Sequence, residues 1–92
     1  MIDELVKAVA LRGPVCVGLD TSISYIPESM LCDDVTETMF RFNRRIIDAT
    51  KDICAVYKLQ IAYYEAQGIA GMKAYQKTLT YLHDEGLLSI GD

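Results

Sequence analysis

Ile53-Cys54-Ala55-Val56-Tyr57-Lys58 decides the fold: five apolar residues in an unbroken run, closed by a charge. The run is too short for an amphipathic helix and does not alternate, so it reads as a strand covered on both faces. The same design stands upstream in Val15-Cys16-Val17-Gly18-Leu19, which ends on Asp20. It stands again downstream in Leu87-Leu88-Ser89-Ile90-Gly91, which ends on Asp92. The closing charges at positions 20, 58 and 92 are 38 and then 34 residues apart, about the length of one βαβ unit.

The intervening segments read as helices. Ile2, Leu5, Val6 and Val9 place an amphipathic helix over 2–11, with Asp3 and Glu4 in its first turn and Arg12-Gly13-Pro14 as its stop. Thr21 to Asp34 is a loop with one helical turn near Glu28 to Leu31. Asp34 followed by Glu37 fits a capping box. Phe40, Asn43, Ile46, Ile47 and Thr50 then mark one face of a helix over 36–51, with Arg41, Arg44, Arg45 and Asp48 on the other. Beyond the second strand, Ala62 to Gly68 holds a helical turn. A stripe of Ile69, Met72, Tyr75, Leu79 and Leu82 traces a last helix to about Glu85, capped by Gly86.

Composition sets limits on function. The 92 residues carry 9 Lys and Arg against 13 Asp and Glu, a formal charge of −4, which does not repay the counterion cost of holding a polyanion; no nucleic acid partner is expected. Apolar residues make up 51%, typical of a packed chain and not of a disordered tail. Three cysteines (Cys16, Cys32, Cys54) form no CxxC pair, and the opening residues lack the regions of a signal peptide. These features predict reduced thiols and a cytoplasmic protein. No apolar run approaches the ~18 residues of a membrane span, so no membrane partner is expected.

Strand, helix, strand, helix, strand, each strand apolar throughout, is the order of parallel βαβ units with right-handed crossovers. The class is α/β, and the three charges emerge at the carboxyl ends of neighbouring strands, the edge where such folds place their chemistry. Asp20, Lys58 and Asp92 would then form an acid, base, acid row in which opposite charges offset each other's desolvation. Strands also end in charges simply because they end at the surface, and pattern alone leaves both readings open. A three-stranded parallel sheet with two open edges is incomplete. The chain therefore looks like a piece of something larger, and a barrel of this type takes ~250 residues.

The residues resemble a family. Pro14-Val15-Cys16-Val17-Gly18-Leu19-Asp20, then Ala55-Val56-Tyr57-Lys58-Leu59-Gln60-Ile61-Ala62-Tyr63-Tyr64-Glu65-Ala66-Gln67-Gly68, and finally Ser89-Ile90-Gly91-Asp92 are similar, in that order, to orotidine 5′-phosphate decarboxylase in its longer bacterial form. The middle stretch is specific; the outer two are weak alone. The resemblance implies a (β/α)8 TIM barrel, of which residues 1–92 are a single partial domain, the N-terminal portion cut after the third strand. It also implies a homodimer when full length, and loss of carbon dioxide from orotidine 5′-phosphate to give uridine 5′-phosphate in pyrimidine synthesis. It implies neither metal nor organic cofactor. By the same resemblance Asp20 binds the ribose hydroxyls, Lys58 contacts ribose and the neighbouring acid, and Asp92 is the first acid of an Asp-x-Lys-x-x-Asp motif. The proton-donating lysine would come two positions after Asp92, so the 92 residues alone are expected to be inactive. Lys58 and Asp92 are thus the catalytic candidates, with Asp20, Lys58 and Gln60 on the substrate.

Two other functions compete: a magnesium-dependent phosphosugar lyase of the same superfamily, against which the Tyr57 to Glu65 run argues, and a non-catalytic half-barrel module that dimerises through its open edges. Several residues have plain readings beside functional ones. Gln60 and Tyr63 stand either at the site mouth or in packing between helix and rim. Thr21 and Ser22 follow Asp20 and either touch substrate or, more simply, bond their own turn. His83 suits the last turn of its helix, Arg44-Arg45 a solvated face, and Cys16 and Cys54 the interior of strands. Met39, Phe40 and Phe42 suit a subunit contact, although core packing explains Phe40 more simply. Tyr57 should point away from Lys58, toward the helices.

Overall fold

The computed structural model describes residues 2–91. In chain order these form helix α1 (Ile2–Arg12), strand β1 (Val15–Gly18), two single 3₁₀ turns (Ile23–Tyr25 and Glu28–Met30), helix α2 (Val35–Thr50), strand β2 (Cys54–Leu59), a short helix α3 (Ile61–Glu65), helix α4 (Gly68–Asp84) and strand β3 (Leu88–Gly91). The strands make one parallel sheet in the order β1-β2-β3. The α/β expectation, with three parallel strands and helical crossovers, is met. Asp92 lies outside the described residues.

Local signals act where expected. Asp34 caps α2 by accepting the Glu37 backbone N–H at 3.2 Å, satisfying one of the helix's orphan donors. The Glu37 carboxylate does not complete a box; it pairs with Lys77 on α4 and Arg41 on its own helix. Gly86 ends α4 at φ 69°, a left-handed conformation that glycine adopts without cost. The loop after β1 carries two 3₁₀ turns where one helical turn was expected.

Register divides the sheet into two faces. Cys16, Val56 and Leu88 stand in one row and Gly18, Lys58 and Ile90 in the next, so all six share a face. Val17, Tyr57 and Ser89 occupy the other. There the core forms: Leu19, Tyr57, Leu59, Met39, Ile47, Tyr64, Ala74 and Leu82 are buried together under α2 and α4. The Tyr57 phenol reaches the end of α2, 2.7 Å from the Thr50 hydroxyl and 3.3 Å from the Ile47 carbonyl, pointing away from Lys58 as parity requires.

Several expectations about burial need correction. Of the three strands only β2 is enclosed, because it alone has a neighbour on each side; Val15, Cys16 and Gly18 of β1 are exposed. Cys16 is therefore an exposed thiol, whereas Cys54 is buried. On α4 the enclosed residues are Gly71, Ala74, Thr78 and Leu82, while Ile69 is 78% exposed. Leu82, Met72, Tyr75 and Leu79 of the expected stripe do face the core, the last three partly buried; Ile69 alone turns outward, and the small residues Gly71, Ala74 and Thr78 widen the inward face by one position. On α1, Ala8 alone is buried, and the stripe residues Ile2 and Val6 are exposed. Met39 is enclosed, so it serves the interior of this chain and not an outer contact, while Phe42 is half-buried with one side packed on the core.

Candidate active site

The carboxyl ends of β1 and β2 bring two candidates together. The Leu19 N–H donates to the Lys58 carbonyl at 2.7 Å, extending the ladder one residue past Gly18. Gly18 is the register partner of Lys58. The Asp20 carboxylate folds back over Gly18: its Oδ2 lies 3.5 Å from the place a Cβ on Gly18 would occupy. Glycine at 18 leaves an open surface on which the acid rests, beside the strand position of Lys58 and on the same face. Both side chains are exposed at this rim. Asp20 and Lys58, 38 positions apart in sequence, are thereby neighbours at one lip of the sheet.

Gln60 follows two residues beyond Lys58, in extended backbone (φ −91°, ψ 111°), where the chain leaves β2 and enters α3. Its side chain makes no capping bond to α3, so it is not committed to the helix end, and its residue is exposed. Tyr63 is partly exposed on α3. Gly91, at the end of β3, sits against the Tyr75 hydroxyl, with the ring Cζ 3.7 Å from the site of a Cβ. His83 and Arg44 lie away from the rim: His83 is exposed beside Asp84, and Arg44 pairs with Asp48 and stacks over Tyr81.

Under the rim lies a feature that the sequence reading passed over. Thr21 is buried, and its hydroxyl donates to Asn43 Oδ1 on α2, 22 positions away. It bonds across the fold and not its own turn. The Asn43 amide nitrogen gives one hydrogen to the Tyr64 hydroxyl at 3.0 Å and the other to Thr78 Oγ1 at 3.0 Å. Tyr64 in turn donates to the Leu19 carbonyl at 2.7 Å, and Thr78 to the Ala74 carbonyl at 2.8 Å. Every link is paired, as buried polar groups require; no buried side-chain polar atom among the described residues lacks a partner. One signal was visible: Asn43 stands on the apolar face of its helix, where an amide is costly without partners.

A groove of about 880 Å³ also runs between α2 and α4 on the helical side, lined among others by Phe40, Ile69 and Lys77. None of Asp20, Lys58 and Gln60 lines it.

Parallel strands crossed by helices on one face define the class: part of a (β/α)8 barrel, with an acid and an amine at neighbouring carboxyl ends, the edge where such barrels place their sites. No family model matches the chain. Its full length is 57% identical to a protein of Clostridium kluyveri named orotidine 5′-phosphate decarboxylase, covering 32% of that protein. It is 49% identical to the protein of that name in Clostridium novyi, covering 33%. A crystal structure assigned as an orotidine 5′-phosphate decarboxylase from Streptomyces avermitilis superposes with a TM-score of 0.81 at 34% identity, over 98% of this chain and 31% of that one. The chain is similar over its whole length to proteins of this name and spans about a third of the length of these relatives.

Proposed function

We propose that the chain forms the amino-terminal part of an orotidine 5′-phosphate decarboxylase, which converts orotidine 5′-phosphate to uridine 5′-phosphate and carbon dioxide in pyrimidine nucleotide synthesis. The observation that carries this reading is the juxtaposition of Asp20 and Lys58 on one face of the rim, in a chain 57% identical to a protein of that name. Lys58 serves catalysis together with Asp92, and Asp20, Lys58 and Gln60 hold the substrate. Losing carbon dioxide leaves a carbanion on the pyrimidine ring with no electron sink, so the site must favour charge as it develops. A fixed ammonium flanked by acids provides such a field, and the acid beside the departing carboxylate disfavours the ground state. The full-length enzyme is a cytoplasmic homodimer that needs no cofactor.

The test is decarboxylation of orotidine 5′-phosphate by the full-length protein that carries this segment, followed by loss of substrate absorbance with and without a chelator. Turnover that persists in the chelator is the expected result. No turnover refutes the reading, and turnover that requires magnesium favours the phosphosugar lyases.

A further inference from the structure

The peptide on either side of Asp20 is anchored to the helical layer. On one side, Leu19 is held twice, its N–H by the Lys58 carbonyl and its carbonyl by the Tyr64 hydroxyl. On the other, the Thr21 hydroxyl is held by Asn43. Asp20 thus sits on a one-residue bridge between two anchors, at the mouth of a segment that contains nothing more regular than two 3₁₀ turns before α2 begins. The two anchors are themselves one unit, since the Asn43 amide donates to the Tyr64 hydroxyl.

We propose that Asn43 and Tyr64 are positioning residues for the site: acting through Thr21 and Leu19, they fix the Asp20 carboxylate over Gly18 beside Lys58. The activity readout of this proposal rests on the decarboxylase reading; the geometry does not. Proton direction is what makes the pair specific. The Tyr64 and Thr78 hydroxyls spend their hydrogens on the Leu19 and Ala74 carbonyls, so each accepts from Asn43 with its lone pairs. An aspartate at 43, nearly the same shape, has no hydrogen to give. Tyr64 and Thr78 would then turn toward it; the Ala74 carbonyl keeps its helical N–H partner, but the buried Leu19 carbonyl loses the Tyr64 hydroxyl and Leu19 is released. The Tyr64 phenol is held above its ordinary pKa, first by burial and in part by the nearby Asp20 charge, so it remains a donor at neutral pH.

The experiment is a double-mutant cycle in the full-length protein. Tyr64→Phe keeps the ring that packs edge-on to Tyr75 and removes only the hydroxyl; Asn43→Asp removes the donors. Each is expected to lower kcat/KM tenfold or more in the parent and less than twofold in an Asp20→Ala background, where no carboxylate remains to be placed. Equal losses in both backgrounds would show a role in packing alone and overturn the proposal. Should Asn43→Asp fail to fold, Tyr64→Phe decides. Should the parent protein not decarboxylate orotidine 5′-phosphate, the functional reading falls separately. The crystal structure of Tyr64→Phe then decides the positioning: an Asp20 carboxylate displaced from Gly18 supports it, and one left in place refutes it.

Discussion

Gly71→Ala sets two well-known effects against each other. Gly71 lies in the first turns of α4 and is buried against α3. A Cβ there would overlap the Tyr64 carbonyl oxygen and stand 2.9 Å from the Tyr64 carbonyl carbon and 2.8 Å from Gln67 Cβ. Helix propensity alone favours alanine over glycine by ~1 kcal/mol. Overpacking typically costs about 1–3 kcal/mol. The upper end applies here, because the atoms met are backbone of the α3–α4 joint and not the tip of a flexible side chain. Relief requires α4 to move off α3, which loosens the Gln67 N–H bond to the same Tyr64 carbonyl at 3.1 Å. The net expectation is a loss of about 2 kcal/mol, or roughly 4–8 °C in melting temperature for a protein of the relatives' size. Because Tyr64 carries the link to Leu19, a drop in kcat/KM should accompany it. Guanidinium unfolding of parent and variant, followed by circular dichroism, measures the difference. A Gly71→Ala protein as stable as its parent, or more so, would show that propensity wins and that the joint is not tight.

Three further outcomes are expected. Asp34→Ala removes the α2 cap bond and should cost ~1 kcal/mol in the same unfolding assay, with activity per folded molecule unchanged. Lys58→Ala, at an exposed position, should abolish turnover by at least a hundredfold while shifting stability by no more than about 0.5 kcal/mol; equal loss of fold and activity would contradict its placement at the site. Burial pushes the Tyr57 phenol from 10.0 up to about 12, against the opposing Thr50 hydrogen bond. The folded value lies above the unfolded one, so this contribution is complete below pH 10 and disappears as pH rises to 12, on the order of 2 kcal/mol in all. The parent's stability should fall more steeply than that of Tyr57→Phe across that window, and parallel curves in alkaline denaturation would refute the assignment.

Much of the architecture was legible because its causes are local. The run at Ile53–Tyr57, the cap at Asp34 and the left-handed Gly86 are each dictated by a few adjacent residues; the cap and the glycine form where expected, and the strand forms one to two residues further on, at Cys54–Leu59. The candidate rim was legible for a similar reason. A period of one βαβ unit puts Asp20 and Lys58 at carboxyl ends, and parallel pairing of β1 with β2 makes those ends neighbours. The faces that elements present were harder to read. On α4, hydropathy marks Met72, Tyr75 and Leu79, which pack against the core only in part, whereas Gly71, Ala74 and Thr78 are the ones fully enclosed, since small side chains at a contact let neighbouring elements approach. Cys16 shows the same gap: an apolar run states that a strand exists, but not whether it stands at an edge.

The order of elements, the parallel class and the residues at strand ends follow from the chain's own pattern, since periodicity and capping act over a few bonds. Which faces are covered, that the Asp20 carboxylate rests on Gly18, and that Asn43 and Tyr64 join α2 and α3 to Leu19 and Thr21 are settled by packing. Those contacts join residues 21 to 45 positions apart, and a hydroxyl or amide shows no preference in sequence for the partner that will satisfy it.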